Sequence, residues 1–248
     1  MPSSKVPSRA RSSRGGHLCR HTIFMPELVP APDPAVHAPH VPKAVESVAR
    51  KRPKPGERRV QILEALASML ELPGAERVTT ASLAARLNVS EAALYRLFAS
   101  KAQMFEGLIE FTEQAVFGLV NQINEREVDP TVRVRKLVMM VLQFAEKNPG
   151  LTRVMVGDAL VYEHERLQAR MNLFFDKLEA AIKQNLRGTV VSAQAADGLA
   201  SGVRGGDAQA RASVVVAFVA GRLQRFARSG FRRLPTEHLE ASLVCLLK

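Results

Sequence analysis

The residues best placed for chemistry in this chain are hydroxyls, small side chains and cations rather than acids or thiols. Thr79, Thr80, Ser90, Ala92, Ala93, Tyr95, Arg96 and Lys101 all fall in one stretch, 77–105, RVTTASLAARLNVSEAALYRLFASKAQMF. Hydroxyl and ammonium donors hold phosphate oxygens, while alanines let a helix approach base edges closely or pack on thymine methyls. The chemistry these residues suit is recognition of double-stranded DNA. Thr79, Thr80, Tyr95 and Lys101 are the expected phosphate contacts; Ser90, Ala92, Ala93 and Arg96 are expected at base edges or neighbouring phosphates. The direct readers are modest, so DNA shape should carry much of the specificity.

The elements that must position these groups are short capped helices. Thr79 or Thr80 can N-cap a helix over 81–87, since a threonine hydroxyl accepts from a free amide of the first turn. Leu83, Ala84 and Leu87 share its inner face. Asn88 tolerates the left-handed conformation that a sharp turn needs. Ser90 then caps a second helix over 91–98, with Glu91 at the positive end of its dipole and Leu94, Leu97 and Phe98 turned inward. Ser100 caps a third helix that opens on Lys101, placing a cation beside free amides. This is the spacing of a helix-turn-helix whose second helix enters the major groove, although two capped helices also occur in all-α proteins that never meet DNA.

The same stretch, with its Leu94-Tyr95-Arg96-Leu97-Phe98 run before the Lys101 helix, resembles the DNA-binding domain of TetR-type regulators. The segments RRVQILEALASMLE, EKNPGLTRVMVGDALVYEHERLQARMN and RFARSGFR extend the likeness to the branch of that family that acts in nucleoid occlusion. It covers about 57–248 apart from the segment around 188–207. The resemblance implies an all-α, TetR-like fold: a three-helix DNA-binding domain over 57–103, then a helical regulatory and dimerisation domain over 104–248. It implies a homodimer on palindromic chromosomal sites that, when on DNA, engages the tubulin-like division protein FtsZ and blocks ring assembly. Candidate contacts for that partner are Phe111 and, at the end of the next helix, Lys147 and Asn148. Phe111 also sits at the edge of an apolar stripe, and Lys147 and Asn148 also serve to end a helix.

Composition agrees with a polyanion partner, with a net charge of +11 and a pI near 10.2. Residues 1–56 hold ten Lys and Arg against three Asp and Glu, a net of +7, leaving only +4 for the other 192 residues. That tail holds ten of the fourteen prolines and no sustained period, which predicts disorder. Its basic cluster at 50–54 suits sequence-independent phosphate contacts or a solvated linker. His17, Cys19 and His21 are one ligand short of a structural zinc site. No run of eighteen apolar residues and no signal-peptide core occurs, and Cys19 and Cys245 offer no disulfide framework, which predicts a reducing cytoplasm; the resemblance implies association with the nucleoid there.

Along the rest of the chain the 3.6-residue period predicts helices over 57–72, 101–127, 132–147, 151–156, 159–162, 163–187, 208–228 and 236–247, with no strand. Val60, Leu63, Leu66, Ala67 and Leu70 should face inward on the first, while Arg58 and Arg59 can reach the DNA backbone. Phe105, Leu108, Ile109, Thr112, Val116 and Leu119 should line the long second-domain helix. The alternating charges on 163–187 should form a solvated face. The glycine-rich segment 188–207 predicts a flexible loop. Ala212, Val215, Val216, Val219, Ala220, Leu223 and Phe226, with Leu239, Leu243, Leu246 and Leu247, supply a dimer face or an intrachain core. No Gly-rich phosphate loop, HExxH, GxSxG or CxxC occurs, and His164, His238, Asp158, Glu163 and Glu165 have no nucleophile beside them, so no enzyme activity, metal or cofactor is expected. A ligand-responsive repressor is the alternative, with Gln143, Thr152 and Tyr162 as its inward polar groups. A third reading is membrane binding through the tail and its Ile23-Phe24-Met25 cluster.

Overall fold

A computed structural model describes residues 55–72, 78–197 and 204–247, with 188–197 and 204–207 described as backbone only. The tail 1–54 with His17, Cys19, His21 and the basic cluster lies outside the described residues, as do residues 73–77. The described residues fold entirely as helices: α1 Pro55–Leu70, α2 Thr80–Leu87, α3 Glu91–Tyr95, α4 Lys101–Arg126, α5 Pro130–Lys147, α6 Pro149–Met155, α7 Glu165–Asp197, α8 Arg204–Arg228 and α9 Leu239–Leu246. A single 3₁₀ turn, Asp158–Leu160, stands where a helix over 159–162 is expected.

The helix starts follow from local chemistry. Thr79 caps α2 through a reciprocal box with Ser82, Ser90 accepts from the Ala93 amide, and Ser100 accepts from the Gln103 amide while the Gln103 side chain accepts from Ala99. Asp129 caps α5 ahead of Pro130, whose missing amide costs nothing in a first turn.

One apolar core runs from Ile62 of α1 to Leu243 of α9. Leu66, Ala67 and Leu70 of α1 meet Leu83 and Ala84 of α2, Leu94 and Phe98, and Met104, Phe105 and Leu108 of α4 within it. Val60, expected inside, is 53% exposed, and Ile62 takes the inner position. The α4 stripe is buried as its period requires, Thr112 included, with that hydroxyl donating to Leu108 O at 2.9 Å.

Two features join the DNA-proximal helices to the rest. Gly150 of α6 lies so close to α1 that a Cβ there would sit 2.0 Å from the Ala67 carbonyl oxygen. From sequence this glycine reads as part of a helix stop; it stands inside α6 and permits backbone contact between helices. Alongside, α7 is tied to α4 by ion pairs: Lys101–Glu163 at 2.5 Å just before α7, Glu106–Arg166 at 2.8 Å, and Glu113 with Arg170 at 2.6 Å and Lys177 at 3.6 Å. Arg166, Arg170 and Lys177 therefore reach across to α4, while Glu165, Arg166, Asp176 and Lys177 remain exposed, as expected of a solvated face.

The expected loop at 188–207 is also corrected: α7 continues to Asp197 and α8 begins at Arg204. The run VVSAQAA after Gly188 consists largely of helix formers. A glycine costs a helix only about 1 kcal/mol, too little to end one that neighbours hold.

Gly150→Ala is expected to lower stability by about 1–3 kcal/mol, because α6 must move off α1 to admit the methyl. Gly118→Ala on α4 meets nothing within 4 Å and should be neutral or stabilising by up to about 1 kcal/mol. Thermal and urea unfolding of the two variants checks the contrast; equal effects would dismiss the close-approach explanation.

Candidate nucleic-acid interface

Recognition helix α3 is short, and its geometry is set at both ends. Asn88 stands in the left-handed region at φ 52°, turning the chain from α2 into Ser90. After Tyr95 the helix tightens, with Leu97 N donating to Leu94 O at 2.9 Å and Arg96 acting as C-cap. The helix expected over 91–98 therefore ends earlier, because Phe98 must turn into the core before Ser100 can open α4.

The front of α2–α3 is a connected polar surface. The Tyr95 hydroxyl reaches Thr80 Oγ1 at 3.5 Å, and Thr80 donates to Glu91 Oε2 at 2.6 Å. Ala92, Tyr95 and Arg96 are exposed, and Ala93 is half-exposed. Thr79 is exposed beside them, its oxygen accepting from Ser82 N at 3.1 Å. Ser90 Oγ is engaged as a cap acceptor, which leaves its proton for a base or phosphate. The side chain of Arg96 makes no hydrogen bond or ion pair to another described residue. All eight residues expected at DNA from 79–101 therefore lie on the helix-turn-helix or at the end of α4 beside it.

Arg58 and Arg59 behave differently. Arg58 bonds Gln61 on its own helix at 3.2 Å. The Arg59 guanidinium stacks 4.2 Å from the Phe98 ring centroid and donates to Leu97 O at 3.1 Å. Arg59, exposed at the start of α1, thereby clamps the C-terminal end of the recognition helix. A guanidinium lying on an aromatic face gains from the ring quadrupole as well as from its hydrogen bond.

Lys101 opens α4 as expected, but it is already paired with Glu163, whose side chain is 10% exposed. Sequence reasoning missed this partner, since 62 positions separate the two and no local pattern signals the pair. A phosphate arriving at this helix end competes with a carboxylate from the second domain for one ammonium. On the proposed partner surface, Phe111 is half-buried and Lys147 exposed. Asn148 is corrected: it is buried, and its amide donates to Phe144 O at 2.8 Å, closing α5 where α6 begins.

A slim recognition helix on a three-helix support, with a long α4 running into a larger helical body, defines a DNA-binding regulator of the TetR type. Residues 62–108 match the model of the bacterial regulatory proteins, tetR family, and residues 128–248 match an SlmA-like model described as tetracyclin repressor-like, C-terminal domain. The chain is 47% identical over 184 residues to the nucleoid occlusion factor SlmA of Idiomarina loihiensis, covering 74% of this chain and 90% of that protein. It is 44% identical over 195 residues to the protein of the same name from Escherichia coli O1:K1 / APEC, covering 78% and 95%. The chain belongs to the SlmA family of TetR-type proteins. Among solved structures, the fatty acid degradation regulator FadR of Bacillus halodurans aligns with TM-score 0.61 at 14% identity over 80% of this chain and 97% of that one. FadR of Bacillus subtilis in complex with stearoyl-CoA aligns with TM-score 0.59 at 12% identity over 76% and 97%. At such identities these two share the fold alone.

Glu163→Gln removes the competing charge and keeps the side chain's size. It is expected to tighten binding to any duplex a few-fold, as for a partly exposed pair, and to steepen the salt dependence by about one phosphate contact. Salt titration by fluorescence anisotropy reads both. An unchanged slope and affinity would place Lys101 away from phosphate.

Proposed function

We propose that this chain is a nucleoid occlusion factor that binds chromosomal DNA as a homodimer and, when on DNA, engages FtsZ to block division-ring assembly over the chromosome. The observation that carries the reading is identity of 44–48% to proteins named nucleoid occlusion factor SlmA, over about nine-tenths of their length. The helix-turn-helix supports the DNA part. Thr79, Thr80, Tyr95 and Lys101 hold phosphates, while Ser90, Ala92, Ala93 and Arg96 lie at base edges or neighbouring phosphates.

Dimerisation is supported by an apolar face on α8 and α9. Val214 is 55% exposed and Val244 42% exposed, and Ala217 and Gly221 lie on the same exposed face of α8 as Val214. Most of the residues expected there from sequence are intrachain core instead: Ala212, Val215, Val216, Val219, Leu223 and Phe226 on α8 and Leu239 and Leu243 on α9 are buried within one chain. Pairing through the outer face would set two α3 helices on successive major grooves about 34 Å apart.

The link to FtsZ is one of linkage. DNA holds the two recognition helices in one arrangement, and α1–α6 packing with the α4–α7 ion pairs carries that arrangement to the surface around Phe111 and Lys147. The ligand-responsive alternative gains nothing from its three candidates. Gln143 and Tyr162 are exposed, and the buried Thr152 hydroxyl is taken up by Ala145 O at 2.8 Å and Asn148 O at 3.2 Å. Among the described residues no helix is long and apolar enough to cross a membrane.

The direct test is sedimentation of FtsZ polymer with GTP, comparing the protein alone, with random duplex, and with duplex enriched by selection. Polymer loss or co-sedimentation is expected only with the selected duplex, and a Phe111→Ala, Lys147→Ala variant should weaken it about tenfold or more if these are central contacts. Tight binding to the selected duplex with no effect on FtsZ would replace this reading with the repressor one. Separately, Thr79→Ala with Lys101→Ala should weaken binding to all duplexes and flatten the salt slope by about one contact. Affinity equal to the wild type's would remove both from the phosphate set.

A further inference from the structure

A second concentration of positive charge lies away from the helix-turn-helix, where α8 ends and the chain turns toward α9. Arg222 and Arg225 on α8 and Arg232 and Arg233 in the turn line a pocket of about 400 Å³. The remaining walls are Leu234, Glu237 and His238. Four guanidiniums thus face one carboxylate, and that carboxylate sits 3.8 Å from His238 Nε2. Like charges gathered so closely repel one another unless an anion lies between them.

The turn is built to hold them there. Gly230, Phe231 and His238 all have positive φ, at 62°, 63° and 53°. For Phe231 this conformation is costly, and its persistence requires strong surrounding contacts. They are present: the Phe231 ring meets Phe226 edge-on at 5.1 Å, and Arg153 of α6 stacks on it at 5.2 Å. Ser229 Oγ accepts from the amides of Arg232 and Arg233 at 3.1 and 2.9 Å, and Thr236 donates to Glu146 at 2.5 Å. Pro235 is buried beneath.

Within this frame the arginines divide into two kinds. Arg222 is fixed by bonds to Glu237 O at 2.5 Å and Ser242 Oγ at 2.9 Å, and Arg232 by a bond to Ser229 O at 3.0 Å. The side chains of Arg225 and Arg233 make no hydrogen bond or ion pair to any described residue. Two positioned and two free guanidiniums around one concavity give planar, paired donors, which is the geometry that selects phosphate oxygens. The pocket is larger than one phosphate needs, and half-exposed Leu234 supplies an apolar edge.

We propose that this pocket binds a diphosphate or triphosphate group, free or carried by a nucleotide. The proposal is independent of the FtsZ reading.

Calorimetry on the full-length protein tests it, with inorganic pyrophosphate as the first probe, orthophosphate as the comparison, and ATP and GTP as the nucleotide arm. Pyrophosphate is expected to bind more tightly than orthophosphate. Arg225→Ala with Arg233→Ala should weaken it by about tenfold or more for each guanidinium removed, and the double Lys variant should recover part. Since neither side chain supports the turn, both variants should unfold at the wild-type temperature. A nucleotide that binds more tightly than pyrophosphate identifies a carried phosphate chain; equal affinity identifies the phosphates alone. No binding of pyrophosphate, or equal binding by wild type and the Ala variant, would overturn the site. Loss of duplex DNA affinity in the Ala variant without any pyrophosphate binding would also overturn it, assigning the arginines to the DNA footprint.

Discussion

The contact on which the rest of the molecule depends is the backbone approach of α6 to α1 at Gly150 and Ala67. A bulkier residue at 150 cannot occupy that space, so the DNA-reading helices are packed directly against the second domain and not hung from it by a linker. Both belong to one apolar core, and close-packed interiors transmit displacement because they have few voids in which to absorb it. Beside this apolar contact stands a polar one, Lys101–Glu163, in which a residue proposed to hold phosphate is paired with a carboxylate just before α7. Under the linkage proposed above, the first contact makes the two parts move together and the second makes their arrangement respond to DNA.

The charge pattern has the same division of labour. The front of the helix-turn-helix carries few strong base readers, a surface suited to affinity that rests on phosphates and on the shape of the site. Several arginines hold structure: Arg59, which from sequence can reach the DNA backbone, stacks on Phe98, and Arg166 and Arg170, read from sequence as part of a charged outer face, tie α7 to α4. A guanidinium that is both flat and multivalent suits such clamping better than an ammonium does.

The helix-turn-helix was legible from sequence because its signals are local. Thr79, Ser90 and Ser100 each accept from an amide three residues on, Asn88 donates its own amide to the carbonyls of Ala84 and Ala85, and each adopts the cap or turn geometry its type favours. The inner stripe of α4 was legible for a similar reason, since eleven buried positions repeat at helical spacing along it. What was not legible depends on partners far away in the chain. Gly150 reads as a helix breaker until α1 is placed above it. Glu163 reads as one charge among many until Lys101 arrives from 62 positions earlier. Val60 and Ile62 could not be ranked by period alone, because both flank the face that α1 presents to α2 and α4. The extension of α7 past Gly188 was hidden by glycines whose local cost is smaller than the stabilisation a long packed helix supplies.

Coupling between the domains is tested most directly by pulsed electron spin resonance on spin labels at Ala85 of α2 and Val161 before α7, both exposed. The background would carry Cys19→Ser and Cys245→Ser, and distances would be read with and without a selected duplex. Binding of the duplex is expected to narrow the interdomain distance to one population, and Glu163→Gln to shift the free protein toward it. A distance distribution that the duplex leaves unchanged would contradict the coupling, leaving DNA binding and partner binding as independent properties of two joined domains.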